Sequence, residues 1–314
     1  MENIPLGDIY DMVCEAPSGD GLGIEMMPEF LLTDMQANSH PHVHTFYEIL
    51  WFFKGGGIHT VDFHDYAVED NSIFFLSPGQ IHSFDGFTLH TGISLKLCTD
   101  FLKYENADED IFIKYNMFNA FDTAPYFVIK DTLVAENLRE LIGRMRKEQA
   151  NVDDFGHMDI LRALIKIFLV NVQRHGARPD ALPLNTTRAS HRLFLLFRKM
   201  LEQEYDRMHT VKDYAGRLNV SSKTLTNSVT ECSRKSPLAF INDRVILEAK
   251  RLLRFTNLMV KEIAYRMGYD DPSYFVKFFK RQTGYLPSDF REKVLVEENL
   301  RKEICMGGHG TEGS

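Results

Sequence analysis

The chain has 314 residues, of which 44% are hydrophobic and 25% charged, with a formal net charge of −8. That length suits about two domains and the apolar fraction suffices for separate cores, while the absence of any apolar run near the roughly 20 residues that cross a bilayer excludes a membrane-spanning helix. The start of the chain lacks the basic, apolar, small-residue order of a secretory leader, and Cys14, Cys98, Cys232 and Cys305 lie far apart, so neither a disulfide framework nor a structural zinc site is suggested and a reducing cytoplasm is expected.

Residues 1–130 read as a β domain. Short apolar segments, Phe46 to Phe53, Ile58 to Phe63, Ser72 to Leu76 and Thr88 to Leu97, are separated by Gly55-Gly56-Gly57, Asp70-Asn71 and Pro78-Gly79. This punctuation predicts an antiparallel β-barrel or sandwich. The same segment holds His42, His44 and Glu48 in an H-x-H-x3-E spacing, with His82 following in Pro78-Gly79-Gln80-Ile81-His82. Even separation along a strand puts side chains on one face, so these groups are expected to converge on the domain interior. Three readings stand for them. They hydrogen-bond a small organic effector, or they ligate Mn, Fe, Ni or Zn as three imidazoles and a carboxylate suit, or they satisfy one another structurally. Trp51, the one tryptophan, has the parity of Tyr47 and Ile49, opposite to Glu48, and is expected between the barrel and the helices that follow.

Residues 131–175 carry two amphipathic stripes. Leu133, Val134, Leu138, Leu141, Ile142 and Met145 form the first, and Ile160, Leu161, Leu164, Ile165, Phe168, Leu169 and Val172 the second. Stripes this wide predict packing on the barrel or a seam between two copies of the chain. Residues 176–189, with Gly176, Pro179 and Pro183, read as a linker.

Residues 190–296 state one pattern twice. Val211, Tyr214, Ala215 and Leu218 lie on one helix face, and Val260, Ile263, Ala264 and Met267 repeat them at an offset of 49. Each helix stops at a residue that tolerates a left-handed backbone, Asn219 or Gly268. The offset then becomes 50: Ser221 matches Asp271 as an N-cap, Pro272 suits a first helical position, and Leu225 and Val229 match Phe275 and Phe279 as core residues. Two helix-turn-helix units follow, with recognition helices over 222–232 and 272–282. Leu238 to Leu253 reads as one amphipathic spacer helix that holds them about 34 Å apart, one turn of duplex. The residues from 297 to 314 end in a Gly-rich tail expected to be disordered.

A helical repeat scaffold would bury similar positions, but charge separates the two cases. Residues 186–296 hold 21 Lys and Arg against 12 Asp and Glu, whereas residues 1–185 hold 13 against 28. A phosphate backbone attracts the first segment and repels the second. With the core positions turned inward, Ser222, Lys223, Thr226 and Asn227 face the major groove in the first unit, as do Ser273, Val276 and Lys277 in the second, with Lys280 and Arg281 set toward phosphates.

The run from Ile263 through Gly268 to Phe275, then Phe279-Lys280-Arg281-Gln282-Thr283-Gly284 and Pro287, resembles the signature of the AraC/XylS family of transcriptional regulators. The resemblance implies an N-terminal effector or dimerisation domain ahead of the tandem helix-turn-helix, with double-stranded DNA, a small-molecule effector, RNA polymerase and a second copy of the chain as partners. The first unit departs from the pattern, because the Gly that precedes the Pro by three residues is Arg234 there, and its recognition helix is expected to close differently. The histidine motif is similar to the metal motifs of the cupin superfamily, although Gln36 stands where a Gly is usual and Gly86 where an Asn is. The fold expected is therefore α+β multidomain: a cupin-like barrel with helices, then an all-α double helix-turn-helix. The function expected is a transcription regulator, not an enzyme, with His42, His44, Glu48 and His82 binding an effector and no catalytic residue or cofactor assigned. The alternative is a metal-dependent cupin enzyme or metal sensor joined to a DNA-binding module, with the same four residues as ligands.

Overall fold

Ten strands precede eight helices in the computed structural model, which describes residues 13–14, 21–27, 41–84, 91–98, 101, 117–118, 124–177 and 188–293. Gln36, Gly86, the start of the strand expected from Thr88, most of the linker and the tail from 297 lie outside the described residues. The chain divides into two units, Met1–Pro183 and Leu184–Ser314.

In the first unit the strands are β1 (Val13–Cys14), β2 (Leu22–Met26), β3 (His42–His44), β4 (Tyr47–Phe52), β5 (Ile58–Val61), β6 (His64–Ala67), β7 (Ser72–Leu76), β8 (Ile81–Phe84), β9 (Gly92–Leu97) and β10 (Tyr126–Val128). They form two five-stranded sheets, ordered β1-β3-β8-β5-β6 and β10-β7-β4-β9-β2. Pairing is antiparallel except for β1 against β3. The expected barrel is thus a sandwich, since among the described residues no pairing joins one sheet to the other. Side-chain parity explains the packing. Leu50, Phe52, Phe74 and Leu76 meet Val61 and Phe84 of the facing sheet, while Ile49, Trp51, Ile73 and Phe75 point the other way, against helices. A sheet covered on both sides takes apolar residues on both faces, which is why Ile49 to Phe52 on β4 and Ile73 to Leu76 on β7 read as continuous apolar runs. The edge strand β6 is largely exposed, with His64 and Asp65 on it, and such polar groups discourage pairing with another chain.

Helices α1 (Thr132–Gln149) and α2 (His157–His175) cover the outer face of the second sheet. Asp131 caps α1 by accepting from the amides of Leu133 and Val134 at 2.9 and 3.3 Å. The buried stripe of α1 is Ala135, Leu138, Ile142 and Met145. Leu133, expected within it, is 65% exposed, because two residues of helix rotate it by about 200° from Ala135. Ile160 is likewise exposed, while Leu161, Ile165, Phe168, Leu169 and Val172 are buried. Trp51 is fully buried with its ring 6.0 Å from that of Phe168, between sheet and helices as its parity predicts.

The second unit comprises α3 (Arg188–Glu204), α4 (Val211–Arg217), α5 (Ser222–Ser233), α6 (Pro237–Phe255), α7 (Val260–Arg266) and α8 (Pro272–Thr283). Helix α3 stands outside the repeated pattern and carries none of its motifs. It packs through Phe194, Phe197 and Leu201, and Phe197 meets Tyr214 and Phe240 edge to face at 5.4 and 6.2 Å. The spacer α6 starts at Ser236, whose hydroxyl accepts from the Ala239 amide, with Pro237 at the first turn. It buries three charged residues among its apolar ones, Arg244, Glu248 and Arg251.

Candidate functional site

The internal repeat extends to individual hydrogen bonds. Asn219 and Gly268 both take positive φ, 54° and 74°, and let the chain turn between the paired helices. Ser221 accepts from the Thr224 amide and Asp271 from the Ser273 amide, starting α5 and α8. At the other end Ser233 donates to the carbonyls of Val229 and Lys235, and Thr283 does the same to Phe279 and Tyr285, each at the offset of 50. The departure at Arg234 leaves this pattern intact. Arg234 adopts φ 60° and donates its amide to Thr230, as Gly284 at φ 83° donates to Lys280. The expected difference in closure is therefore corrected: the same left-handed cap forms with a side chain present. A left-handed non-Gly residue is strained, so Arg234→Gly raises stability by about 0.5 to 1 kcal/mol, measured as a higher urea midpoint at an unchanged slope.

On α5, Leu225, Ser228, Val229 and Cys232 are buried, which leaves Ser222, Lys223 and Asn227 exposed and Thr226 half-buried. On α8, Phe275, Phe278 and Phe279 are buried, leaving Ser273, Lys277, Lys280 and Arg281 exposed and Val276 half-buried. The tyrosine of the second turn anchors its unit to the first. Tyr269 stacks on His209 at 4.6 Å with 18° between the rings, and a Cβ on Gly268 would lie 2.1 Å from the Asp206 carbonyl oxygen. His209, which belongs to no motif of the sequence, precedes the Thr210 cap of α4. Arg244 on α6 donates from Nε to Glu202 at 2.8 Å and from Nη1 to Glu248 at 3.0 Å, and Arg251 Nη1 reaches the same Glu248 oxygen at 3.2 Å.

In the first unit all four expected effector residues meet inside the sandwich. His42 and His44 share β3, and β3 pairs with β8 so that His42 stands opposite His82. Glu48 does not extend that strand as its even spacing suggests. The chain crosses between sheets at Thr45 and Phe46, and Glu48 comes from β4 on the same face as Leu50 and Phe52. The groups are buried, with Glu48 at 0% exposure. Glu48 Oε2 lies 3.2 Å from His44 Nε2 and 3.6 Å from His82 Nε2, those two Nε2 atoms touch each other, and Ser94 donates its hydroxyl to Glu48 Oε1 at 2.7 Å. A fifth member escapes sequence reasoning. His59 on β5 is fully buried, stacks on Phe84 at 4.7 Å, and sets its Nε2 3.0 Å from His82 Nδ1. Its one signal in the sequence is its place in the apolar segment from Ile58.

Protonation in the cluster is lopsided. Burial alone would raise the Glu48 carboxyl, but His44 through its charge and hydrogen bond, Ser94 and Lys96 outweigh it and hold the group at about 2. His82 is driven well below its ordinary value, first by burial and then by His42, His44 and His59 around it. The cluster therefore presents an ionised carboxylate beside a neutral imidazole. His42, His44 and His82 each offer a donor atom within 4.8 Å of the others.

Two family models match this chain. One is described as a helix-turn-helix domain and covers residues 214–293; the other is described as an AraC-like ligand binding domain and covers residues 30–85. Among curated proteins, the HTH-type transcriptional activator RhaS of Enterobacter sp. strain 638 is 24% identical over 263 residues, spanning 82% of this chain and 89% of that protein. RhaS of Escherichia coli O81 matches to the same extent. Among solved structures, the DNA-binding domain of AdpA in complex with a target DNA aligns with 33% of this chain and 94% of its own, at 26% identity and a TM-score of 0.31. Wild-type ToxT from Vibrio cholerae with an unsaturated fatty acid bound aligns with 78% of this chain and 86% of its own, at 17% identity and a TM-score of 0.34.

Proposed function

Because the chain belongs to the AraC/XylS family of transcription regulators, with a DNA-binding tandem helix-turn-helix and an N-terminal ligand-binding domain, we propose that a small effector held at His42, His44, Glu48 and His82 sets how tightly the second unit grips its operator. The observation that carries this reading is the matched pair of capped helices α5 and α8, each with its apolar side buried and a polar side open. Lys223 donates to guanine and Asn227 pairs with adenine in one groove segment, with Ser222 and Thr226 beside them. In the next, Ser273 and Lys277 hydrogen-bond base edges and Val276 makes apolar contact with them, while Lys280 and Arg281 fix register on phosphates. The enzyme alternative is set aside, since the curated relatives are named as activators of transcription.

The partners follow from the same reading. The protein works in the cytoplasm on duplex DNA, as a homodimer that engages RNA polymerase, and no described helix is long and apolar enough to cross a membrane. Effector binding can bias DNA affinity only through a difference in free energy between two states of the protein. Selection of bound fragments from a genomic library tests the function and supplies the operator. On that operator Lys277→Ala weakens binding by about 1 to 3 kcal/mol and relaxes discrimination at one base position. Equal affinity of the variant in a salt-controlled titration would remove Lys277 from the contact set.

A further inference from the structure

The two helix-turn-helix units match in caps and core but differ in charge where their recognition helices end. Lys280 and Arg281, in the last turn of α8, correspond at the offset of 50 to Thr230 and Glu231 of α5. The first unit thus has a neutral and an acidic side chain where the second has two cations, and Glu231 accepts from the Ser190 hydroxyl of α3 at 2.6 Å. A carboxylate repels phosphate, so the first unit cannot hold the strand through the same two positions. Its cations stand one turn further on. Arg234 follows Glu231 by three residues and Thr230 by four, the spacing that brings helical side chains to one side, and Lys235 comes next. The second unit has Gly284 and Tyr285 at those two places. Lys235 is already engaged within the protein, its Nζ 3.3 Å from Asp243 Oδ2 and 5.7 Å from the centre of the Phe240 ring. Arg234 is exposed, and among the described residues no group accepts from its guanidinium.

We infer that Arg234 binds a backbone phosphate of the operator at the end of the first recognition helix, in place of the cation pair that ends the second, on the reading that Lys280 and Arg281 lie on phosphates. The backbone beneath it is fixed. The Arg234 amide donates to the Thr230 carbonyl at 2.8 Å, and the Ser233 hydroxyl bonds the Lys235 amide at 3.2 Å and the Lys235 carbonyl at 3.4 Å. The planar guanidinium fork matches two oxygens of one phosphate, so a rooted arginine gives the first unit a register point that Thr230 and Glu231 deny it. Such a contact positions the helix and reads no base. It also accounts for the residue itself: at φ 60° a glycine would relieve the cap, yet a side chain that meets no acceptor in the protein stands there. The change that relaxes the backbone is the same change that removes the contact.

The test is a salt titration of binding by the full chain, on the selected operator and on an unrelated duplex. One phosphate contact adds about 0.9 to the slope of log K against log salt, so Arg234→Gly should weaken binding to both by roughly 10-fold at about 50 mM salt and only about 3-fold at about 200 mM. Its urea midpoint should rise in the same samples. A loosened fold does not give gains in stability together with losses in binding. Arg234→Ala keeps the strained φ and should lose the same slope without the rise in midpoint, while Arg234→Lys keeps the charge and should keep the slope. An unchanged slope and affinity in Arg234→Gly and Arg234→Ala overturns the contact, whatever their effect on transcription. So does a loss confined to the operator, which is the mark of base reading. Absence of salt-dependent binding by the unaltered chain would sink the DNA reading as a whole, whereas binding by that chain and by Arg234→Gly alike would sink Arg234 alone.

Discussion

Gly268→Ala lowers the stability of the DNA-binding unit by about 2 to 5 kcal/mol and abolishes operator recognition by the second helix-turn-helix. Two costs add. The backbone at φ 74° strains any residue with a Cβ, worth roughly 1 to 2 kcal/mol, and the new methyl would sit 2.1 Å from the Asp206 carbonyl oxygen, forcing backbone apart at a further cost of about 1 to 3 kcal/mol. Gly284 supplies the control. It has φ 83° with nothing within 4 Å of where a methyl would sit, so Gly284→Ala costs only about 1 kcal/mol. Hydrogen exchange read peptide by peptide on the full chain should place the Gly268→Ala loss within residues 188–293 and leave residues 124–177 unchanged. Equal effects of the two alanines would show that the approach of Asp206 carries no energy.

Glu248→Ala is expected to cost about 3 to 5 kcal/mol, the usual penalty for removing one member of a buried ionic group. Its Oε2 accepts from both Arg244 and Arg251, and Arg251 is 1% exposed. Burial alone would lower Arg244, but Glu202, Tyr205 and Glu248 more than offset it and keep the guanidinium charged. Arg244 also stacks over the Tyr205 ring at 3.8 Å, so the group fastens the end of α3 and the residues after it to the spacer α6. A loosened spacer frees the two recognition helices from a common register. The variant should therefore show a lower chemical-denaturation midpoint together with weaker operator binding at temperatures where it is still folded. Loss of stability with full operator affinity would uncouple the network from DNA reading.

The tandem unit is legible because several independent signals coincide at fixed offsets: the paired stripes, the turns at Asn219 and Gly268, the caps Ser221 and Asp271. Arg234 misleads, since sequence shows the identity of a residue and not the φ its surroundings impose. The three charged residues buried on α6 are invisible for a related reason, as a charge reads as solvent-facing until its partners on other turns and on Glu202 are known. In the first unit, parity correctly puts His42 and His44 on one face and Trp51 opposite Glu48. Parity holds only within a strand, however, and the crossing at Thr45 and Phe46 moves Glu48 to the other sheet while still delivering it to the cluster. His59 belongs to the site through cross-strand register, because Val61 rather than His59 stands directly opposite His82, and no local spacing encodes such a diagonal neighbour.

Strand β4 turns Glu48 toward the histidines and, three residues on, Trp51 toward α1 and α2. About 10 Å of hydrogen-bonded backbone separates the two side chains, and neighbours on both sides hold that segment stiff. The indole is wholly shielded from water, with the Arg139 guanidinium 5.6 Å from its ring. A molecule with a single tryptophan so placed carries its own optical gauge: emission from this one ring reports the packing between the second sheet and its two covering helices, with no label attached.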